Sequence, residues 1–261
     1  MKKLFIVILS LFLTINMARA EAEYGFKGPL NFIQCKILEK TIASQLENKY
    51  NGNADIKIKS YGAQALRNGI FKSANLKLDN IIIKEIPISY IELETISTEN
   101  KLDITNVKNI NLLSTIDAQF TALLSNENLK QILNSNIYQN EIAKINSQLA
   151  PYITIDIKDI YCENGRLFIK LQANSFGIKM ATTTSSEVVT ENGEIILKDI
   201  KLGKIAKNIF STSIYTSLEG LNPFKTTIKA LGNSNLNIKP SAINIVNDKI
   251  KISGMIKIYK D

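Results

Sequence analysis

The stretch that decides the fold is residues 153–201, ITIDIKDIYCENGRLFIKLQANSFGIKMATTTSSEVVTENGEIILKDIK. Ile153, Ile155 and Ile157 alternate with Thr154, Asp156 and Lys158, the period of a half-buried strand. Glu163-Asn164-Gly165-Arg166 then reads as a hairpin, because Asn and Gly both tolerate the positive φ that a tight two-residue turn demands. Beyond it, Leu167, Ile169 and Leu171 alternate with Phe168 and Lys170. Glu191-Asn192-Gly193-Glu194 repeats the signal, with Val188-Val189 before it and Ile195-Ile196-Leu197 after it. The stretch predicts a meander of about four antiparallel strands.

Upstream, residues 31–50 are apolar at Phe32, Ile33, Ile37, Leu38, Ile42, Leu46 and Tyr50, a helical stripe. Pro29 and Asn51-Gly52-Asn53 bound it. Residues 54–61 alternate through Ile56 and Ile58, Asn68-Gly69 marks a turn, and a strand-rich stretch runs from Ile70 to Val107. Within that stretch Pro87 points to an edge strand or a bulge. Ser125 opens a helix carrying Leu129, Ile132 and Leu133, and the pattern resumes at Ile142, Ile145 and Leu149 after a break between Asn134 and Gln139. Downstream, residues 203–219 read as a helix through Ile205, Ala206, Ile209, Phe210 and Ser213, ended by Asn222-Pro223-Phe224. A last hairpin runs through Ile243 and Ile245, a turn at Asn247-Asp248, and Ile250, Ile252, Ile256 and Ile258. No Pro/Gly/Ser-rich linker divides the chain, so one α+β domain is expected over residues 21–261.

The 261 residues include 32 Lys+Arg, 24 Asp+Glu, two cysteines, no histidine and no tryptophan, for a formal charge of +8. Lack of histidine excludes Ser-His-Asp and Cys-His nucleophile systems and His-ligated zinc. Two cysteines are too few for a thiolate zinc or iron–sulfur site within one chain. No metal and no cofactor is expected. Met1-Lys2-Lys3, an apolar run from Leu4 to Leu13 and Ala18-Arg19-Ala20 form a secretory signal peptide over residues 1–20. The expected location is therefore extracytoplasmic, in the periplasm or elsewhere in the cell envelope. Loss of that segment leaves a charge of about +5. Arg67 and Arg166 are the only arginines beyond it, and no arginine cluster or aromatic–basic interleaving supports nucleic acid as a partner. Mild attraction to anionic lipid headgroups fits better.

Nucleophile elbows, phosphate-binding loops and dinucleotide fingerprints are all missing. The aspartates fall mostly at outward strand positions or turns, and no tryptophan offers a sugar platform, so no enzymatic role is expected. Cys35 on the first helix and Cys162 before the Asn164-Gly165 turn could close a disulfide in an exported chain. Residues 81–91 and 195–202 are apolar on nearly both faces. Either helices cover a filled core, or one sheet face lines a groove for acyl chains.

The layout joins the 31–50 helix, the 54–60 strand, the turn and strand from Arg67 to Leu78, Ile81-Ile82-Ile83, Pro87-Ile88, the helix opened by Ser125 with Leu129 and Ile132-Leu133, Asn222-Pro223-Phe224 and the closing Ser253-Gly254. Over residues 31–258 it resembles the LmeA-type family of bacterial phospholipid-binding proteins. That resemblance implies a TULIP-like roll, a long and strongly curved antiparallel β-sheet wrapped around a few helices. It also implies a non-enzymatic protein that holds a phospholipid or other acyl-chain lipid, with peripheral membrane contact and a part in lipid transfer or envelope maintenance. The expected groove lining is Ile33, Ile37, Ile42 and Leu46 on the first helix, with Leu76, Leu78, Ile81 and Ile83 on the early strands. Ile155, Ile157, Leu167, Ile169, Ile195 and Leu197 complete it from the meander. The alternative is an envelope scaffold or assembly factor that engages partner proteins through its sheet edges.

Overall fold

A computed structural model describes residues 28–97, 100–104, 111–149, 153–203, 220–232, 235–246 and 248–260. The expected signal peptide over residues 1–20, Asn247 and all but the first residue of the expected 203–219 helix lie outside them. The fold is mixed α+β, with three antiparallel sheets. By contact the chain separates into two compact units. The first comprises Met1–Leu78, Glu92–Gln119 and Lys257–Asp261, and the second Asp79–Ile91 and Phe120–Ile256.

The elements in chain order are α1 (Pro29–Tyr50), β1 (Asn53–Lys59), α2 (Ala63–Arg67), β2 (Ile70–Phe71), β3 (Ser73–Ile83), β4 (Ile86–Thr95), β5 (Asn100–Asp103), β6 (Asn111–Leu112) and β7 (Ile116–Ser125). They continue with α3 (Asn126–Leu133), α4 (Asn136–Gln148), β8 (Ile153–Glu163), β9 (Arg166–Ser175), β10 (Ile178–Glu191), β11 (Glu194–Leu202), α5 (Pro223–Leu231), β12 (Leu236–Val246) and β13 (Lys249–Ile258). One sheet has the order β1-β3-β4-β7-β13-β12, a second β11-β10-β9-β8 and a third β2-β5-β6.

In the first unit, Pro29 opens α1, where its missing N–H costs nothing, and Asn51 closes it in the left-handed region at φ 54°. One face of α1 packs on β1. Cys35 and Leu38 join Ile56, Ile58, Leu66, Phe71, Leu102 and Ile116 in a buried apolar cluster. Glu39 is also on the buried face, 4% exposed. Its carboxylate accepts the Ile58 N–H at 2.7 Å, and Glu47 accepts the Ala54 N–H at 3.2 Å. β1 is the terminal strand of its sheet, so α1 supplies hydrogen-bond acceptors along a strand edge. Burial raises the Glu39 pKa, outweighing the stabilising Ile58 N–H and the Lys36 ammonium 3.3 Å away.

In the second unit, the meander forms as its Asn-Gly turns predict. β8, β9, β10 and β11 pair in sequence order, with register breaks between Ile157 and Asp159 and between Ser185 and Glu187. Helices α3, α4 and α5 pack on one another, with α3 and α4 also against β8 and α5 against β11. Ser125 caps α3 through the Asn128 N–H, and Ser135 caps α4 through the Tyr138 N–H, which places the expected break between Leu133 and Asn136. Tyr138 is fully buried, and its hydroxyl donates to the Leu221 carbonyl. Burial also pushes its pKa upward.

Several expectations need correction. Gly220 is helical and the helix stops before Asn222, and Asn222-Pro223-Phe224 also starts a second helix, which the sequence reading did not include. Asn222 Oδ1 accepts from the Phe224 and Lys225 N–H groups, and Pro223 takes the first helical position. Pro87 lies on β4, interior to its sheet, and is tolerated there as the second residue of the strand. The Ile81–Ile83 run is not buried on both faces: Ile81 is buried, but Ile82, on the opposite face of the strand, is exposed. Cys35 and Cys162 are free thiols rather than a disulfide. Each is wholly buried in a different unit.

Candidate apolar ligand site

The expected lining residues separate into two environments. Ile155, Ile157, Leu167, Ile169, Ile195 and Leu197 are all buried in the second unit. They share the meander's inward face with Ile160, Cys162 and Leu171, and the helices packed on that sheet are themselves rich in buried apolar side chains. Ile81 is buried and Ile83 half-buried in the same unit. In the first unit Leu78 is buried, while Leu76 and Ile42 pack half-buried against the apolar cluster. Leu46 is half-buried on the last turns of α1. Ile33 and Ile37 point outward, 51% and 59% exposed.

Ile37 alone among these candidates lines a described cavity. It belongs to the first unit, has a volume of about 180 Å³, and is walled by Gln34, Ile37 and Leu38 of α1, Leu66 and Arg67 of α2, and Ile104 after β5. The α1 residues lie within two turns, so the helical stripe itself puts Ile37 and Leu38 on the cavity wall. α2 is held by a backbone turn in which the Asn68 N–H bonds to the Ala65 carbonyl at 3.0 Å. The adjacent Gly69, at φ +74°, lies so close to the Leu102 carbonyl that a Cβ could not fit there. This contact sets α2 against β5 and brings Arg67 and Ile104 to one cavity. Gln34 places its carboxamide between the Ala63 carbonyl, at 3.1 Å, and Arg67 Nε, at 3.0 Å; assigned by these neighbours, its nitrogen is the donor to Ala63 and its oxygen the acceptor from Arg67. The Arg67 guanidinium is thereby anchored on one side, while the residue stays exposed at the cavity rim.

The result is four apolar walls and one fixed cation. An apolar cavity with few, convergent polar groups is the ordinary design of a small-molecule site, although such sites usually measure about 300–1,000 Å³. The space suits a short or partly inserted chain rather than two full acyl tails. Arg67 gives a bidentate partner to a carboxylate or phosphate at its mouth.

A second, smaller cavity of about 60 Å³ lies in the other unit. Ile88, Phe120, Leu124 and Ile252 from the strands face Ile228 and Leu231 of α5 across it. Thr227 is its only polar lining side chain, with a buried Oγ1 that has no hydrogen-bond partner.

Other groups of possible chemical interest are structural. Burial pushes the Cys162 thiol up to about 12, with the Asp248 carboxylate adding to the shift. Burial also raises Cys35, outweighing a hydrogen bond with Ser60. Neither thiol is a thiolate near neutral pH. Arg166 spans Glu187 at 3.2 Å and Asp199 at 3.0 Å, holding β9 to β10 and β11. Among the described residues, no group of three or more Cys, Asp or Glu is placed to hold a metal ion. No described helix is long and apolar enough to cross a membrane.

Sequence reasoning named Ile37 as lining but missed Gln34, Leu38, Leu66, Arg67 and Ile104. The available signal was Arg67 itself, one of only three arginines in the chain, beside the Asn68-Gly69 turn. Comparison with family models, with curated proteins and with solved structures gives no match.

Proposed function

We propose that this chain is a non-enzymatic binder of an acyl-chain lipid, taken into the apolar cavity between α1 and α2 with its anionic end on Arg67. The observation that carries the reading is the pairing of apolar walls from Ile37, Leu38, Leu66 and Ile104 with one guanidinium fixed by Gln34. Water displaced from those walls supplies the driving force, and Arg67 supplies the preference for a charged end. Phospholipid, the ligand implied by the resemblance, fits as one tail partly inserted beneath a phosphate. An extracytoplasmic location and a strongly curved sheet belong to the same proposal.

The scaffold alternative requires open strand edges. Glu39 and Glu47 occupy acceptor positions along β1, and Asn126 and Asn146 bond to the backbone of β8, an end strand of the meander. These contacts favour the ligand reading over partner capture at those two edges.

The test is native mass spectrometry of the purified full chain, followed by titration of the delipidated protein with a fluorescent fatty acid. A retained lipid and saturable binding are expected. Leu66→Trp should fill the cavity and abolish binding, whereas Arg67→Gln should weaken a fatty acid far more than the matching fatty alcohol. Equal loss for acid and alcohol would remove Arg67 from the site, and no binding at all would end the proposal.

A further inference from the structure

Phe224, Thr227, Ile228 and Leu231 recur along α5 at the spacing of a single apolar face. Thr227 is the one member of that face with a polar group, and it is 6% exposed. Its Oγ1 has no hydrogen-bond partner among the described residues. A helical threonine commonly bonds back to the carbonyl one turn earlier, here that of Pro223, and Thr227 makes no such bond. Valine has nearly the same shape and carries no hydroxyl, so packing alone gives no reason for threonine at this position. A buried hydroxyl with no partner opposes folding and calls for an explanation outside the chain's own contacts.

The surroundings of Thr227 supply one. It lines the cavity of about 60 Å³ across which Ile88, Phe120, Leu124 and Ile252 face α5. None of the described lining residues is charged. A charged ligand would lose its hydration there and gain no counter-charge. Water has room but needs about two to four polar partners, and Thr227 is the only polar side chain on the wall. A wholly apolar ligand would leave Oγ1 unpaired. The complementary occupant has an apolar body and one uncharged hydrogen-bonding group. The hydroxyl and methyl of a helical threonine exchange places between two χ1 rotamers, so Oγ1 can turn to such a group without a change in packed volume. A volume of about 60 Å³ lies between the about 10–15 Å³ that one water needs and the roughly 150 Å³ of an apolar cavity that takes benzene, which suits a molecule of about three or four non-hydrogen atoms.

We propose that this cavity binds one short, uncharged alkyl molecule carrying a single hydroxyl or carbonyl, with Thr227 Oγ1 as its hydrogen-bond partner. The site lies wholly in the second unit and stands whether or not a ligand enters the cavity between α1 and α2. The test uses the full chain labelled at its isoleucine δ1 methyls and titrated with 1-propanol. Saturable shifts are expected at Ile88, Ile228 and Ile252, and the methyls of Ile37 and Ile104 report separately on the first unit. 1-Propanethiol, nearly the same shape but a weak hydrogen-bonding partner, should bind about tenfold more weakly. Thr227→Val should erase that preference by weakening the alcohol alone. Its urea midpoint should equal or exceed that of the wild type, because the orphan hydroxyl is gone. Shifts that stay linear in alcohol, or that spread over all isoleucines alike, overturn the proposal, as does an undiminished preference for the alcohol in folded Thr227→Val. A lower midpoint for Thr227→Val also overturns it, since the hydroxyl would then serve the fold rather than a ligand.

Discussion

The carboxamide of Asn126 pairs with both backbone groups of Cys162. Its Nδ2 donates to the Cys162 carbonyl at 3.1 Å, and its Oδ1 accepts the Cys162 N–H at 2.7 Å. Asn146 repeats the arrangement at Ile155, with distances of 2.9 Å and 2.7 Å. One side-chain amide thus presents a donor and an acceptor to the strand, as a neighbouring peptide would. The two asparagines lie on α3 and α4, so the helices that cover the meander also bond to its end strand.

Asn126→Ala and Asn146→Ala should each lower stability by about 1–3 kcal/mol, since each strands a partly buried donor and acceptor together. Asn126→Asp should do no better than Asn126→Ala: the carboxylate still accepts from Cys162 N–H but sets an oxygen against the carbonyl. Urea midpoints measure the first claim, and a midpoint for Asn126→Asp near the wild type would contradict the second. Loss of both asparagines should also promote aggregation, detectable by light scattering, because it leaves strand-edge groups unpaired.

Glu39 predicts a pH dependence of definite sign. Its folded-state pKa lies above the ordinary 4.5 because burial penalises the carboxylate. The folded chain therefore binds the proton more tightly than the unfolded chain does. This contribution is fully favourable below the ordinary value and is lost as pH rises through the raised one. Glu39→Gln keeps an oxygen for the Ile58 N–H but has no carboxylate to titrate. The stability of the variant relative to the wild type should therefore rise with pH across that window, as followed by urea midpoints. Parallel curves for the two proteins would show that Glu39 does not titrate abnormally.

The two thiols should be silent in the folded protein. Both side chains are wholly buried, and desolvation holds both pKa values above the usual thiol range. A thiol reagent at mildly alkaline pH should titrate none in native protein and both in denaturant. Rapid native reaction of either would show local opening of the unit that contains it.

The legible parts of the sequence are those written locally. Alternating isoleucines and the turns at Asn164-Gly165 and Asn192-Gly193 carry their information within a few residues, and the observed registers follow them. The Phe176-Gly177 turn carries no such signal, because phenylalanine is not a turn former. Asn222-Pro223 was read for one of its two roles: proline both stops a preceding helix and opens a following one, and the Asn222 cap that opens the second depends on main-chain geometry that the sequence does not show. Long-range partners were out of reach. Nothing near Asn126 announces Cys162, and nothing near Ile37 announces Ile104. The helical stripe at Ile33 and Ile37 was read correctly as apolar, but periodicity does not reveal that this part of the stripe is left uncovered.

Gly254 provides the sharpest test of packing in the second unit. It lies on β13 between Ile252 and Ile256, and a Cβ there would collide with the Lys239 carbonyl oxygen, lie 2.8 Å from Pro240 Cα and 2.9 Å from Phe120 Cε1. The first two obstacles are the backbone of β12, which cannot yield as a side chain does. Gly254→Ala should therefore cost about 1–3 kcal/mol by overpacking, despite alanine's small size. Phe120→Leu removes only the ring contact, so it should not restore stability when combined with Gly254→Ala. The two single variants and the double variant, compared by urea unfolding, separate the causes. Rescue by Phe120→Leu would place the constraint in the aromatic ring; persistence of the loss places it in the approach of β12 to β13.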